Sequence, residues 1–372
     1  MSLNYFYILP CLLIIVVAIQ LWYYLYFFIR LANYNSKQKD ASQEYPVSVI
    51  ICEKNEAENL VKNLPGILVQ DYKTTHEVMV VNDNSTDESK YILEEFQRSF
   101  KELTVIALKQ EAKGIPGKKF PLSVGIKSSK HEIVLLTDAD CIPASEHWIK
   151  KMQDGYQPGI EVVLGYGAYK KYPGLLNKFI RFETFHTALQ YFSYTLAGKP
   201  YMGVGRNLSY RKDIFIRNKG FSAINHIPSG DDDLFINMIA NEKNTTIVID
   251  KEAHTLSEPH TSWHNWMQQK NRHYTTAKYY KSSHKFLLSL YATMQTLIYP
   301  LAIATAIFFN WYIAVGVFAI RLIVQTIIWY KCMKKLNETD LWPLFLIFDI
   351  WLFAYNLFFF PSLWRKPSRK WD

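Results

Sequence analysis

Charge is missing from two long stretches of this 372-residue chain: none of residues 1–29 and none of residues 286–320 is Asp, Glu, Lys or Arg. A run of about 20 apolar residues is long enough to cross a bilayer, so residues 5–29 are expected to form a transmembrane helix. A cleaved signal peptide is the competing reading, but the run is too long and no small-residue cleavage site follows. Arg30, Lys37 and Lys39 come next, and cationic flanks place the following region in the cytoplasm, at the plasma (inner) membrane. The second stretch is too long for one span. Asn310 and Trp311 mark a turn between spans at about residues 287–309 and 311–330, and Lys331, Lys334 and Lys335 then return to the inside. Residues 341–364 form a fourth apolar segment, interrupted by Asp349 and bounded by Pro343 and Pro361. As a span it would leave the basic tail Arg365, Lys366, Arg369 and Lys370 outside, against the charge rule; as a re-entrant or interfacial element it would keep the tail inside. Both readings stand. Arg321 and Asp349 each cost a few kcal/mol in an apolar segment unless paired. They pair with each other, or Arg321 faces an anionic headgroup or diphosphate.

Between these ends, residues 45–285 have an ordinary globular composition. The formal charge is +9 and 49 % of the chain is hydrophobic, too apolar for a nucleic-acid tail, so the basic excess points to membrane lipids and diphosphate and not to nucleic acid. Cys11, Cys52, Cys141 and Cys332 lack metal-site spacing and fit a reducing compartment. Short apolar runs at residues 47–51, 77–82, 103–108 and 132–137 read as buried strands. Helices are predicted from about residue 55, over 88–100 with Ser85 and Thr86 at its start, and over 120–128 after Gly114 and the Gly117-Lys118-Lys119 loop. Continuous apolar strands alternating with helices imply an α/β domain, a mostly parallel sheet with helices on both faces and ligands at the carboxyl ends of the strands. No Walker loop or dinucleotide glycine fingerprint opens the first helix.

Acidic clusters sit at those strand ends. Asp138-Ala139-Asp140 follows a buried strand directly, and oxygen-preferring Mg2+ or Mn2+ are held by such carboxylates together with substrate phosphates. Asp83 ends the second strand, where a turn role and a nucleotide contact are compatible. Gly230-Asp231-Asp232-Asp233 places three acids side by side, so one of them needs a raised pKa or a cation. They could serve only the macrodipole of the next helix, or one could be a general base. Residues 263–274 read as a polar, Trp-rich juxtamembrane helix in which Gln269 and Arg272 share a face.

Together these motifs resemble family 2 glycosyltransferases of GT-A fold, of the membrane-embedded kind related to cellulose, chitin and hyaluronan synthases. The resemblance runs in order through Val47-Ser48-Val49-Ile50-Ile51-Cys52-Glu53-Lys54-Asn55-Glu56, Val81-Asn82-Asp83-Asn84-Ser85-Thr86-Asp87, Gly117-Lys118-Lys119 and Thr137-Asp138-Ala139-Asp140. It continues through Gly203-Val204-Gly205-Arg206-Asn207, Gly230-Asp231-Asp232-Asp233 and Gln269-x-x-Arg272. It implies a transmembrane segment and linker over 1–44, a cytoplasmic GT-A nucleotide-sugar-binding domain over 45–262, a juxtamembrane helix over 263–285 and a membrane region over 286–372. It also implies a UDP-sugar donor near Asn55, Glu56, Asp83, Lys118 and Lys119, with Asp138 and Asp140 holding donor and metal. The base is Asp232, or Asp231 if the motif is aligned on Asp233-Leu234. Gly205, Arg206, Asn207, Gln269, Arg272 and His273 fall where acceptor or diphosphate is bound.

One position departs from the resemblance: His273 replaces the Trp that in processive synthases stacks on the polymer, with Trp263 and Trp266 close enough to substitute. Three or four apolar segments are also few for a polymer channel. The expectation is therefore an inverting, metal-assisted transfer of one sugar to a lipid-linked or glycan acceptor, with Arg321 near it. The alternative is a processive synthase acting as a homo-oligomer or with a partner. A nucleotidyltransferase would begin with a Gly/Arg-rich triphosphate loop, where this chain has Cys52-Glu53-Lys54-Asn55-Glu56, and a non-catalytic subunit would lack an acidic motif.

Overall fold

The computed structural model describes residues 7–36, 44–109 and 115–364, with the side chains of residues 363 and 364 excepted. Lys37, Lys39, Gly114 and the tail residues Arg365, Lys366, Arg369 and Lys370 lie outside the described residues. The first helix runs as α1 (Ile8–Trp22), a π-helical stretch Tyr23–Phe28 and α2 (Ile29–Ala32). The catalytic-type domain follows as β1 (Val47–Glu53), α3 (Ala57–Leu68), β2 (His76–Asn82), α4 (Ser89–Ser99), β3 (Leu103–Ala107), α5 (Lys119–Ser128) and β4 (Ile133–Asp138). Then come β5 (Cys141–Pro143), α6 (Trp148–Gln153), β6 (Val162–Leu164), β7 (Gly167–Tyr169), α7 (Leu175–Leu196), β8 (Leu208–Arg211), α8 (Lys212–Arg217) and α9 (Asp233–Ile239). β9 (Thr245–Ile247), β10 (Thr255–Ser257) and α10 (Trp263–Tyr274) lead into α11 (Ser282–Phe308), α12 (Trp311–Lys335) and α13 (Phe345–Phe359).

The main sheet has the order β3-β2-β1-β4-β8-β6-β9. β3, β2, β1 and β4 are parallel, with Val47 opposite His76 and Ile133, while β8 runs antiparallel to both β4 and β6. All seven residues of β1 are buried, because side chains alternate between two covered faces. Val47, Val49 and Ile51 pack with Leu60, Leu64 and Trp148 of α3 and α6. Ile50 and Cys52 face Leu122 and Ile126 of α5, in a core that continues through Phe182 and Phe185 of α7 to Tyr23, Phe28 and Trp329 of the flanking helices. The domain and the apolar helices therefore share one core.

Ser85 and Thr86 do not cap α4. Ser85 Oγ donates to Glu53 (2.9 Å) and accepts from the Asn55 N–H (2.9 Å), while Asn55 Oδ1 accepts from the Thr86 N–H (2.7 Å). The two strand-end loops are thus stitched to each other, with Asn55 in the left-handed region at φ 57°.

Ile8–Ala32, Ser282–Phe308, Trp311–Lys335 and Thr339–Ser362 are each long and apolar enough to cross a membrane. Asn310 turns the chain between the second and third, its Oδ1 accepting from the N–H groups of Tyr312 and Ile313. The fourth is held at both ends by the catalytic-type domain. At its start Glu338 and Asp340 pair with Arg181 of α7, and Asp340 also pairs with Lys171. At its other end Ser362 donates to Asn271 of α10 (2.6 Å), and Phe359 packs against Trp266 and Tyr274. Between these ties Phe348 stacks on Phe182 with centroids 4.1 Å apart. Between its two ties α13 packs along the domain on one side and, through Asp349 and its partner Arg321, against the other three apolar helices on the other.

Arg321 is wholly buried and ion-paired with Asp349, not turned to a headgroup or diphosphate. Its guanidinium also donates to Gln20 (2.7 Å) and Gln295 (2.8 Å), and Asp349 accepts from Gln325 (2.9 Å) and Tyr299 (2.6 Å). One charge-neutral network thus ties all four helices, because a buried ion pair holds only when its remaining donors and acceptors are satisfied.

Candidate active site at the carboxyl edge of the sheet

The parallel strands deliver Glu53, Asp83 and Asp138 to one edge, beside a cavity of about 1470 Å³. Lys118, at the start of α5, reaches Asp138 (2.7 Å) and Asp231 (3.5 Å). The turn before it needs a glycine: Gly117 has φ +76°, and a Cβ there would sit 2.3 Å from the Pro228 carbonyl oxygen. That approach presses the Gly117-Lys118-Lys119 loop against the loop carrying Asp231–Asp233. Lys119 completes the clamp, its buried ammonium donating to the carbonyls of Ile227 (2.6 Å) and Ser229 (2.8 Å).

The three consecutive acids have three different environments. Asp233 is tied to the scaffold by Thr276 (2.5 Å) and Tyr280 (2.7 Å). Asp231 is buried and faces the Lys118 ammonium. Asp232 caps α9 through the Asp233 N–H (2.7 Å), accepts from the Gly205 N–H (2.8 Å), and lines the cavity. Burial, then repulsion from Asp231 and Asp233, pushes its carboxyl up to about 7. Helix capping and a poised carboxylate therefore coexist in one side chain.

Asp138, Asp140 and Cys141 bring ligand atoms within 4.8 Å of one another. Burial pushes Asp138 up, but Lys118, with Arg206 and Arg272 behind it, outweighs that and holds the carboxyl below its usual range. Asp140 is raised by burial and by Asp138 itself, a repulsion that a divalent ion would relieve. Two carboxylates suit Mg2+ or Mn2+, whose remaining positions are filled by phosphate and water. Cys141 fits less well: it is buried and engaged with Ser257 (3.0 Å) and Asp140 (3.1 Å), and burial raises its thiol.

Glu56, Lys118, Asp138, Asp140, Gly205, Arg206, Asp231, Asp232, Gln269, Arg272 and His273 all line the one cavity, whereas Asn55, Asp83, Lys119 and Asn207 sit outside that lining. Asn207, expected near acceptor or diphosphate, is wholly buried. Its amide donates to the carbonyls of Tyr166 (3.0 Å) and Ala253 (2.7 Å) and accepts from the Trp148 indole (3.1 Å). Trp266 does not substitute for the missing stacking residue, because it is fully buried against Trp351 and Tyr355, while Trp263 packs on Phe179 with an exposed ring outside the cavity lining. His273 occupies the cavity wall.

Several lining residues carry no motif. Tyr169 lies 4.4 Å beneath the Arg206 guanidinium, a cation–π contact that aims it at the acids. α7 contributes Glu183, His186, Thr187 and Gln190 to the wall. Their i, i+3, i+4, i+7 spacing marks one polar face of a helix, a signal present in the sequence but without a recognisable chemistry.

Residues 48–217 match the description of glycosyl transferase family 2. Glycosyltransferase AglE of Haloferax volcanii is 32 % identical over 122 residues, which are 32 % of this chain and 36 % of AglE. The beta-monoglucosyldiacylglycerol synthase of Nostoc sp. is 31 % identical over 111 residues, 29 % of this chain and 23 % of that protein. The chain thus aligns with only about a third and about a quarter of these two relatives' lengths. The mannosyltransferase PcManGT from Pyrobaculum calidifontis, solved with GDP-Man and Mn2+, superposes with a TM-score of 0.57 at 17 % identity, covering 92 % of this chain and 99 % of that one. Residues 48–217 thus form a glycosyl transferase family 2 domain, of GT-A fold, joined to helices long and apolar enough to cross a membrane.

Proposed function

We propose that this protein transfers one sugar from a nucleoside diphosphate sugar, UDP in the first instance, to a hydroxyl of a membrane-held acceptor, in a single inverting displacement. The observation that carries the reading is Asp232. All three adjacent acids line the cavity, but Asp233 is tied to Thr276 and Tyr280 and Asp231 faces Lys118, whereas the Asp232 carboxyl is held near 7, where a general base works best. The acceptor hydroxyl gives its proton to Asp232 as its oxygen bonds to the anomeric carbon. The bond from that carbon to the diphosphate breaks on the opposite side, so an α-linked donor yields a β-linked product. Asp138 and Asp140 would hold Mg2+ or Mn2+, which offsets charge on the departing diphosphate; PcManGT was solved with Mn2+. Lys118, Arg206 and Arg272 surround the same position and supply fixed positive charge.

A lipid-linked acceptor is favoured because the cavity extends past α10 to Leu288 and Ala292 of α11 and Leu352 and Asn356 of α13. The charge pattern after residues 29 and 330 favours a cytoplasmic catalytic face on the plasma (inner) membrane. A processive synthase formed by oligomerisation is the second reading, and product length rising during turnover would favour it. The test is nucleotide release by purified full-length protein offered UDP- and GDP-sugars with membrane lipids. Release that Asp232→Asn abolishes supports the reading, and full activity in that variant overturns the base assignment.

A further inference from the structure

The cavity is electrically divided. At the sheet edge, charged groups crowd together: Asp138, Asp140, Asp231 and Asp232 with Lys118, Arg206 and Arg272. Toward the apolar helices its walls change to groups that hydrogen-bond without net charge. Gln190 donates to His186 (3.2 Å), and His186 meets the Tyr291 hydroxyl (3.1 Å). Thr187, Ser289 and Asn356 line the same arm. Burial pushes His186 down to about 4, so its imidazole is neutral at physiological pH. Glu183 and Lys270, on the same wall, are ion-paired with each other. Lys278 and Lys285 flank the first turn of α11, and Lys285 is exposed. They stand at the mouth, where a surface of anionic lipid would meet them.

Beyond the polar groups the lining turns apolar, through Leu288 and Ala292 of α11 and Leu352 of α13. α11 and α13 touch there, Asn356 donating to the Ala292 carbonyl (3.5 Å). A charged headgroup moved past the mouth lysines and in among Gln190, His186, Thr187, Ser289 and Asn356 would give up hydration for neutral partners, since Lys270 on that wall is already paired with Glu183. Sugar or glycerol hydroxyls would instead exchange water for amide and hydroxyl partners at little net cost.

We propose that this membrane-side arm is the acceptor site and that it selects an uncharged, hydroxyl-bearing lipid head, a diacylglycerol or neutral glycolipid, whose tails run along the apolar lining at Leu288, Ala292 and Leu352. The inference rests on the glycosyl-transfer reading above and adds the substrate class. Gln190, held in place by His186 and through it by Tyr291, orients the head so that one hydroxyl reaches toward Asp232.

The test uses full-length protein in mixed micelles, with diacylglycerol, a monoglycosyl diacylglycerol and a polyprenyl phosphate as competing acceptors. Transfer to the uncharged lipids is expected. Gln190→Leu, similar in size, should raise the acceptor KM at least tenfold and leave the donor KM unchanged, which a merely structural loss would not do. Ala292→Trp should block long-chain acceptors and spare a short-chain, water-soluble analogue. Unaltered donor binding in each variant shows that it is folded. Preference for polyprenyl phosphate, or an unchanged acceptor KM in both variants, overturns the proposal while leaving glycosyl transfer intact. Absence of nucleotide release with every acceptor overturns the transferase reading itself, and this inference with it.

Discussion

Replacing Asp232 by Asn tests the chemistry with least disturbance of shape. Loss of a positioned base costs about 10²–10⁴ in rate, equivalent to roughly 3–5 kcal/mol of barrier. The structural cost is separable. Asp232 accepts two backbone N–H bonds, from Gly205 and Asp233. Asn keeps one accepting oxygen and turns a donor toward the other N–H, a penalty of about 1–3 kcal/mol. Against it, removing one of three adjacent negative charges relieves repulsion, so the thermal midpoint should move by only a few degrees. Nucleotide release gives the rate, and calorimetry gives donor affinity, which should be nearly unchanged. The wild type should also show a pH signature. With the base at about 7, kcat/KM falls about tenfold per pH unit below it as the carboxylate is protonated. Stability has the opposite trend: a carboxyl raised above its unfolded value of roughly 3.9 favours the folded state when protonated, and that advantage is lost between about pH 4 and 7. The Asn variant should flatten both curves. Wild-type transfer in Asp232→Asn, or a wild-type rate independent of pH between 5 and 8, would refute the assignment.

Four further outcomes are expected. Chelation should stop transfer, and Mg2+ or Mn2+ should restore it; Asp140→Asn should raise the metal concentration needed, as measured by titration of nucleotide release. Arg321→Met or Asp349→Leu alone should destabilise the protein by about 3–5 kcal/mol through an unpaired buried charge, and the double variant by much less, which thermal unfolding in detergent can read. Asn207→Leu should lower thermal stability by several degrees, since three buried partners lose their bonds, with donor KM little changed in the protein that remains folded. Gly117→Ala should lower kcat and stability together, because its new methyl meets the Pro228 carbonyl and displaces the loop that carries Asp232.

The apolar strands, the acids at their ends and the turn at Asn310 were legible because each depends on local pattern: burial on two faces, a break after a strand, a cap before a helix. Asp138 and Asp140 could be singled out for the same reason, whereas local pattern gave only three adjacent acids at 231–233 and the choice of Asp232 over Asp231 came from the family resemblance. Lys119 and Asn207 stand beside residues that line the cavity and share their motifs, and only three-dimensional packing shows that both are spent on carbonyls. Trp266 misled similarly, as its neighbours Trp351, Tyr355 and Phe359 lie some 85 to 93 positions away along the chain. The path of α13 depended on ion pairs and ring contacts with α7 and α10, which no periodicity encodes. Gln190 and His186 were invisible because amide and imidazole on a helix are ordinary until a cavity opens beside them.

The attachment of α13 at both ends has a consequence for how the protein is made. Phe182, Arg181 and Trp266 find their covering partners, Phe348, Glu338 and Trp351, only in the last part of the chain to be synthesised. Until that segment emerges, the earlier domain carries an uncovered aromatic face and a buried guanidinium with no counter-charge. A truncation that ends before α12 should therefore aggregate even though every motif of the transfer reaction is present. Completion of the catalytic fold would wait on the placement of the helices that precede α13, so that an unanchored chain cannot become an active one.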